Sequence, residues 1–241
     1  MTGHPLLTAA ARNNAAWCDL VCTALGVRGT FTTDLYVNWY EVPRYYPNVI
    51  TLSETVEESD VVRAMGDGVD WSIKDSFGRL DMTTVGLTGL FEARWLVAPR
   101  NPRTAGVECR VVDGDAALHE WLAARDADGS DVLAAAWSER ADLAFVSIVE
   151  GGTVVGSGVL SEAHGVVGLS NVVCSIGDPS RCWSSLVAAS RSLFPGVAVV
   201  GYETGEDLSV ALSLGCKVLG PLTVWARYAA PLHTDVPICA K

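Results

Sequence analysis

Apolar residues recur at helical spacing over positions 8–25, where Ala11, Ala15, Cys18, Val21, Cys22 and Leu25 share one face and Gly26 closes the helix. β-Branched and aromatic residues over 27–39 predict a strand. Tyr36, Trp39, Tyr40, Tyr45 and Tyr46 then crowd around Pro43 and Pro47. Such a stretch lines a ligand cleft or packs as a connection, and the pattern alone does not choose. A short strand follows at 48–52. An acidic helix at 54–65 has Val56, Val61, Val62 and Met65 as its core contacts. Positions 69–97 read as a strand, a charged turn, a short helix ended by Gly86, and a strand carrying Trp95.

The prolines and polar residues of 98–106 predict a linker. The chain accordingly divides into an N-terminal α/β domain at 1–103, a second domain at 104–230, and a tail at 231–241. The second domain opens with a strand at 107–112 and a helix from Asp113 to about residue 127, with Leu118, Trp121 and Leu122 inward. A short helix is predicted at 131–139. Strands 143–149 and 154–160 form a hairpin about Gly151-Gly152. A strand at 165–174 leads to a helix at 179–194, capped by Asp178 with Pro179 in its first position. The closing unit is a buried strand at 197–202, a helix at 206–214 stopped by Gly215, and a strand at 218–227 broken at Gly220-Pro221. Asp207 sits in the first turn of that last helix, where a negative charge is favoured. The unit matches 69–97, with Gly215 in the place of Gly86 and Trp225 in that of Trp95. A duplicated half-domain explains the match, and so does a chance likeness of two β-α-β units.

Composition narrows the partners. The 241 residues carry a net charge of −11, and the arginines form no basic run, which argues against nucleic acid. Seven cysteines without a Cys-x-x-Cys pair argue against structural zinc, and no metal site is expected. Reduced thiols, no signal peptide and no apolar run of membrane length together predict a cytoplasmic protein with no membrane contact. Oligomeric state is left open.

The element order from residue 107 and the closing run GYETGEDLSVALSLGCKVLGPLTVW resemble the GNAT superfamily of N-acetyltransferases over residues 105–227. The stretch YYPNVITL resembles the N-terminal part of such proteins. The resemblance implies an α+β fold, a mixed central sheet flanked by helices, with the N-terminal half as a partial, degenerate GNAT-like domain. It implies acetyl-CoA as co-substrate, lying in a V-shaped gap between the strands 165–174 and 197–202. The pantetheine arm would bond the backbone of Asn171, Val172, Val173 and Cys174. The pyrophosphate would lie at the start of the next helix, on Gly177, Ser180 and Arg181.

Two departures from the family pattern stand out. The family loop reads Gln or Arg, two residues, Gly, one residue, then Gly or Ala. Here the loop from Ser175 to Cys182 holds one glycine, Asp178 brings a carboxylate, and Pro179 removes an N–H donor. The tyrosine that protonates the leaving thiolate in many members is replaced by Ala211. Tyr202 is the nearest phenol, able to donate a proton to a thiolate, and Glu203 beside it is a candidate base. Both residues serve equally well as packing and capping groups. Glu162 and His164 are the other candidates, and Cys174 and Cys182 have no sequence neighbour that would activate them as acyl carriers. The implied function is transfer of an acetyl group from acetyl-CoA to an amine acceptor, a small molecule or a protein amino group, with the 39–46 stretch beside the acceptor. The alternative is a non-catalytic GNAT-like binding or scaffold protein. A doubly wound nucleotide-binding enzyme fits poorly, for want of a glycine fingerprint.

Overall fold

The computed structural model describes residues 4–66, 70–100, 107–125 and 130–227. Helix α1 (Pro5–Ala24) has proline at its start and buries Leu7, Ala11, Trp17 and Val21. The predicted strand at 27–39 is two short strands, β1 (Thr30–Phe31) and β2 (Leu35–Val37). The chain folds back between them because the Thr32 hydroxyl accepts the N–H groups of Asp34 and Leu35, at 3.2 and 2.9 Å. β3 (Val49–Thr51) and α2 (Glu58–Met65) follow. Val56, Val61 and Met65 are buried, whereas Val62 points to solvent.

β4 (Trp71–Asp75) and β5 (Thr88–Val97) enclose one 3-10 turn, Met82–Val85, where a short helix was expected. The Asp75 carboxylate accepts the N–H groups of Phe77, Arg79 and Leu80 at 3.1, 2.6 and 2.8 Å, so the backbone there is committed to a tight loop. The remaining elements are β6 (Glu108–Val111), α3 (Gly114–Ala123), α4 (Ser130–Ala136), β7 (Leu143–Glu150), β8 (Thr153–Ala163), β9 (Val166–Cys174), α5 (Pro179–Leu193), β10 (Ala198–Glu203), α6 (Gly205–Ser213) and β11 (Lys217–Arg227). β11 runs through Gly220-Pro221 with a register shift instead of a break.

Among the described residues one mixed sheet takes in all the strands, in the order β1-β2-β3-β4-β11-β5-β10-β9-β8-β7-β6. The pairs β3–β4 and β9–β10 are parallel and the rest antiparallel. The order therefore reads alike from both sides of the central β11–β5 pair. Each half lends its last strand to the other, since β5 lies against β10 and β11 against β4. The halves divided at 103/104 share this sheet. The expected linker from 101 onward and the tail at 231–241 lie outside the described residues.

Alternation along the strands separates two faces. Val199 joins a core beneath α5 and α6, and its neighbour Val200 joins one beneath α1. On β7, Ala144 and Val146 face α5, whereas Leu143 and Phe145 face α3 and α4. α1 thus crosses the face opposite α5, packing on both halves of the sheet.

Burial pushes the Cys22 thiol up to about 12 and the Cys216 thiol up to about 11, from 9.0. An acid whose pKa is raised by folding stabilises the fold below its unfolded pKa, and that contribution fades as pH climbs to the folded value. The reduced protein is expected to lose on the order of 2 kcal/mol per thiol between pH 9 and 11. Urea midpoints across that range measure it, and Cys216→Ala should flatten the slope.

Candidate functional site

The site is built where two parallel strands part. β9 and β10 pair only from Val166↔Ala198 to Gly168↔Val200. Gly201 closes the crotch: a Cβ there would stand 2.8 Å from the Leu169 carbonyl oxygen, so a side chain would push the strands apart. Beyond it, the edge of β9 that faces β10 has no strand partner among the described residues. β9 also bulges, with its register to β8 slipping between Ser157↔Val173 and Val159↔Ser170 and Asn171 at φ 53°. The Arg125 guanidinium holds the bulge, donating to the Asn171 carbonyl at 2.7 Å and the Ser157 hydroxyl at 2.8 Å while lying over the Trp121 ring.

Asn171, Tyr202 and Glu203 line one small cavity of about 30 Å³ at this crotch, together with Asn13, Asn14 and Trp17 from α1. That volume suits about one water molecule. Asn13 ties α1 down: its amide donates to the carbonyls of Ser161, Ala163 and Val166 at 2.9, 3.3 and 3.2 Å. A larger groove of about 490 Å³, lined in part by Asp19, Arg28, Arg140, Asp142 and Glu162, shares Asn13, Trp17 and Ser161 with the cavity. His164 lies in the β8–β9 turn with φ 54°. Trp39, Tyr40 and Tyr45 are exposed, and Tyr46 packs against the cores beneath α1.

Tyr202 stands edge-on to Trp95, with ring centroids 5.2 Å apart. Behind it lies Lys74, a lysine that sequence reasoning missed. Its Nζ reaches from β4 across the central strands and donates to the Tyr202 phenol at 3.2 Å and the Asn14 carbonyl at 2.8 Å. It is buried, 4% exposed, and forms no ion pair among the described residues. Burial works against its charge, while ionised Tyr202 and Cys18 would favour it, and the balance holds the ammonium above its ordinary pKa. One signal was available: Lys74 is the single cation of the strand WSIKD, just as Asn13-Asn14 interrupts an apolar helix.

Val172 is buried, and Val173 and Cys174 lead to the loop before α5. Gly177 takes φ 95° there. Asp178 caps α5 with its own carboxylate, accepting the Ser180 N–H at 2.8 Å. Arg181 is engaged with Glu150 at 2.9 Å, a half-exposed pair. Ala211 lies on the inner face of α6, fully buried in the core, and carries no hydroxyl. No cluster of metal-ligating side chains occurs among the described residues, and none of its helices there is long and apolar enough to cross a membrane.

This architecture is shared with solved structures. A GCN5-related N-acetyltransferase from Kribbella flavida matches with a TM-score of 0.64 and 16% identity, over 96% of this chain and 98% of that one. A GNAT-family acetyltransferase from Colwellia psychrerythraea matches with a TM-score of 0.51 and 8% identity, over 92% and 97%. The N-myristoyltransferase of Saccharomyces cerevisiae, solved with myristoyl-CoA, matches with a TM-score of 0.50 and 7% identity, over 80% of this chain and 61% of that one. No protein-family model and no curated protein sequence matches. The chain has the GNAT fold, α+β with a mixed sheet flanked by helices.

Gly201→Ala is expected to cost about 1–3 kcal/mol by forcing β10 off the Leu169 carbonyl. Chemical denaturation measures it, and an unchanged midpoint would show that the crotch is soft.

Proposed function

We propose that this protein is an acyl-CoA N-acyltransferase that moves an acetyl group from acetyl-CoA to an amine. The observation that carries the reading is the parting of β9 from β10 at Gly168↔Val200, with the Asn171 bulge opening the β9 backbone beside Tyr202. A pantetheine arm needs such an edge, because its amides bond as an added strand would. The residues fit that arm along Asn171, Val172, Val173 and Cys174. The phosphate end at Gly177, Ser180 and Arg181 fits only after Asp178 leaves its cap position. The small cavity under α1 favours a short acyl group over a long chain.

The acceptor enters from the α1 face, along the groove that shares Asn13, Trp17 and Ser161 with the cavity. Asp19 and Glu162 in that groove favour a cationic amine, whether on a small molecule or on a protein. Glu203 takes the proton that the amine must lose, and Tyr202 donates one to the departing thiolate. The Lys74 ammonium, bonded to the phenol oxygen, holds Tyr202 in place and stabilises the charge left on it. Holding the two reactants in line supplies a further share, roughly 7–11 kcal/mol in favourable systems. We place the reaction in the cytoplasm, in keeping with the free thiols of the described residues.

A second reading, a non-catalytic binding or scaffold protein of the same fold, draws on the self-capped Asp178 and the Arg181–Glu150 pair. One titration separates the two. Millimolar acetyl-CoA should raise the melting temperature, and no shift would rule out the acyl-CoA reading. With turnover in hand, Tyr202→Phe is expected to lower kcat by about 10²-fold or more. Lys74→Met should lower kcat by about tenfold with KM for acetyl-CoA unchanged, and Lys74→Arg should restore part of it. If Tyr202→Phe, Glu203→Gln and Lys74→Met all turn over normally, positioning alone carries the reaction.

A further inference from the structure

The two cysteines flanking the loop before α5 come together in space. Cys174 ends β9, Cys182 lies in the first turns of α5, and their sulfurs are 2.7 Å apart. A disulfide bond is about 2.05 Å long, so joining them needs a movement of well under an ångström. We propose that Cys174 and Cys182 are an oxidation site, at which a hydroperoxide forms a disulfide that locks the loop 175–181 in its self-capped form.

The two thiols are set up for different parts. Cys174 is partly exposed, and Cys182 is buried, 3% exposed. Burial, then the neighbouring Cys174 and Asp178, push the Cys182 thiol well above its ordinary value, with Arg181 opposing. Cys174 is therefore the sulfur that meets the oxidant. Its thiolate attacks the peroxide, an S–O bond forms, the O–O bond breaks, and the alcohol leaves with a proton. The Cys182 sulfur then attacks the Cys174 sulfenic acid. The S–S bond forms, the S–O bond breaks, and the hydroxide leaves as water with the Cys182 proton. In sum, two thiols and one hydroperoxide give a disulfide, an alcohol and water, and the two electrons lost by sulfur reduce the peroxide.

The consequence lies in what the loop has to do. Ser175 and Ile176 bond their N–H groups to the Val155 carbonyl, and Asp178 occupies the Ser180 N–H. An anion arriving at the start of α5 has to displace the Asp178 carboxylate, which requires the loop to open. A disulfide from Cys174 to Cys182 spans that loop and opposes the opening. The effect on acetyl-CoA rests on the function proposed above, and the bond itself does not.

The test oxidises the full-length protein with one equivalent of tert-butyl hydroperoxide, then alkylates it under denaturing conditions and maps the cysteines by mass spectrometry. Cys174 and Cys182 are expected to resist alkylation together, and to recover with dithiothreitol, while the other described cysteines alkylate. Oxidation should raise the melting temperature by about 5 °C or more, and slow amide exchange over 175–181. Cys174→Ser and Cys182→Ser should each abolish both effects. Full alkylation of both cysteines after peroxide, or Cys174 sulfinic acid without a bond to Cys182, overturns the site. A disulfide without slowed exchange overturns the lock. Acetyl-CoA should bind at least about tenfold more weakly to the oxidised form. If the reduced protein binds none, the acyl-CoA reading fails, while the mass and exchange results still decide the dithiol.

Discussion

The gap in the sheet depends on the antiparallel pairing of β5 with β10. A strand that leaves its neighbour exposes backbone N–H and C=O groups, and a buried strand open on both edges would be costly. β10 parts from β9 after Val200, yet its other edge stays in register with β5 from Val200↔Val97 to Glu203↔Arg94. The strand that secures it comes from the N-terminal half. β11 answers by securing β4 on the far side. The cleft of one half is thus held open by the other, through β5 of the N-terminal half.

The same interleaving brings distant polar residues together. Lys74 on β4 and Tyr202 on β10 meet over the two central strands, beneath Asn14 of α1. A buried ammonium without a carboxylate is expensive, and it is held here by a carbonyl, a phenol and a ring face, the Nζ lying 4.7 Å from the Tyr202 ring centroid. Such a group is a common mark of a functional site. α1 serves twice: Asn13 fastens it to the β8–β9 hairpin, and Asn14 completes the shell of Lys74.

The two ends of the cleft differ in character. At the crotch, Arg125 holds the Asn171 bulge by its carbonyl. At the start of α5, the helix has already satisfied itself through Asp178, and Arg181 through Glu150. A helix N-terminus attracts anions through unpaired N–H groups and its dipole, and an internal carboxylate uses both. On the reading proposed above, binding at that end requires the loop to move, and the thiols flank that loop.

Local chemistry made much of the chain legible as sequence. Proline at the start of α5, the glycine stops at Gly26, Gly86 and Gly215, and the alternation along β7 to β10 are rules of one element and its neighbours. The order of strands and helices followed from them, whereas the candidate pair Tyr202 and Glu203 and the backbone run 171–174 came from the resemblance to the GNAT superfamily. Other features were decided only in the tertiary structure, because they depend on contacts far apart in the chain. Asp75 drew residues 77–80 into a tight loop by accepting three of their backbone N–H groups, and only a 3-10 turn follows where a helix was expected. Strand exchange set the gap, since pairing partners are chosen across 100 residues or more and leave no local mark. Lys74 and Asn13 showed only as polar residues in apolar surroundings, and each acquired its partners once α1 lay across the sheet, whereas Arg125 found its own at the β9 bulge.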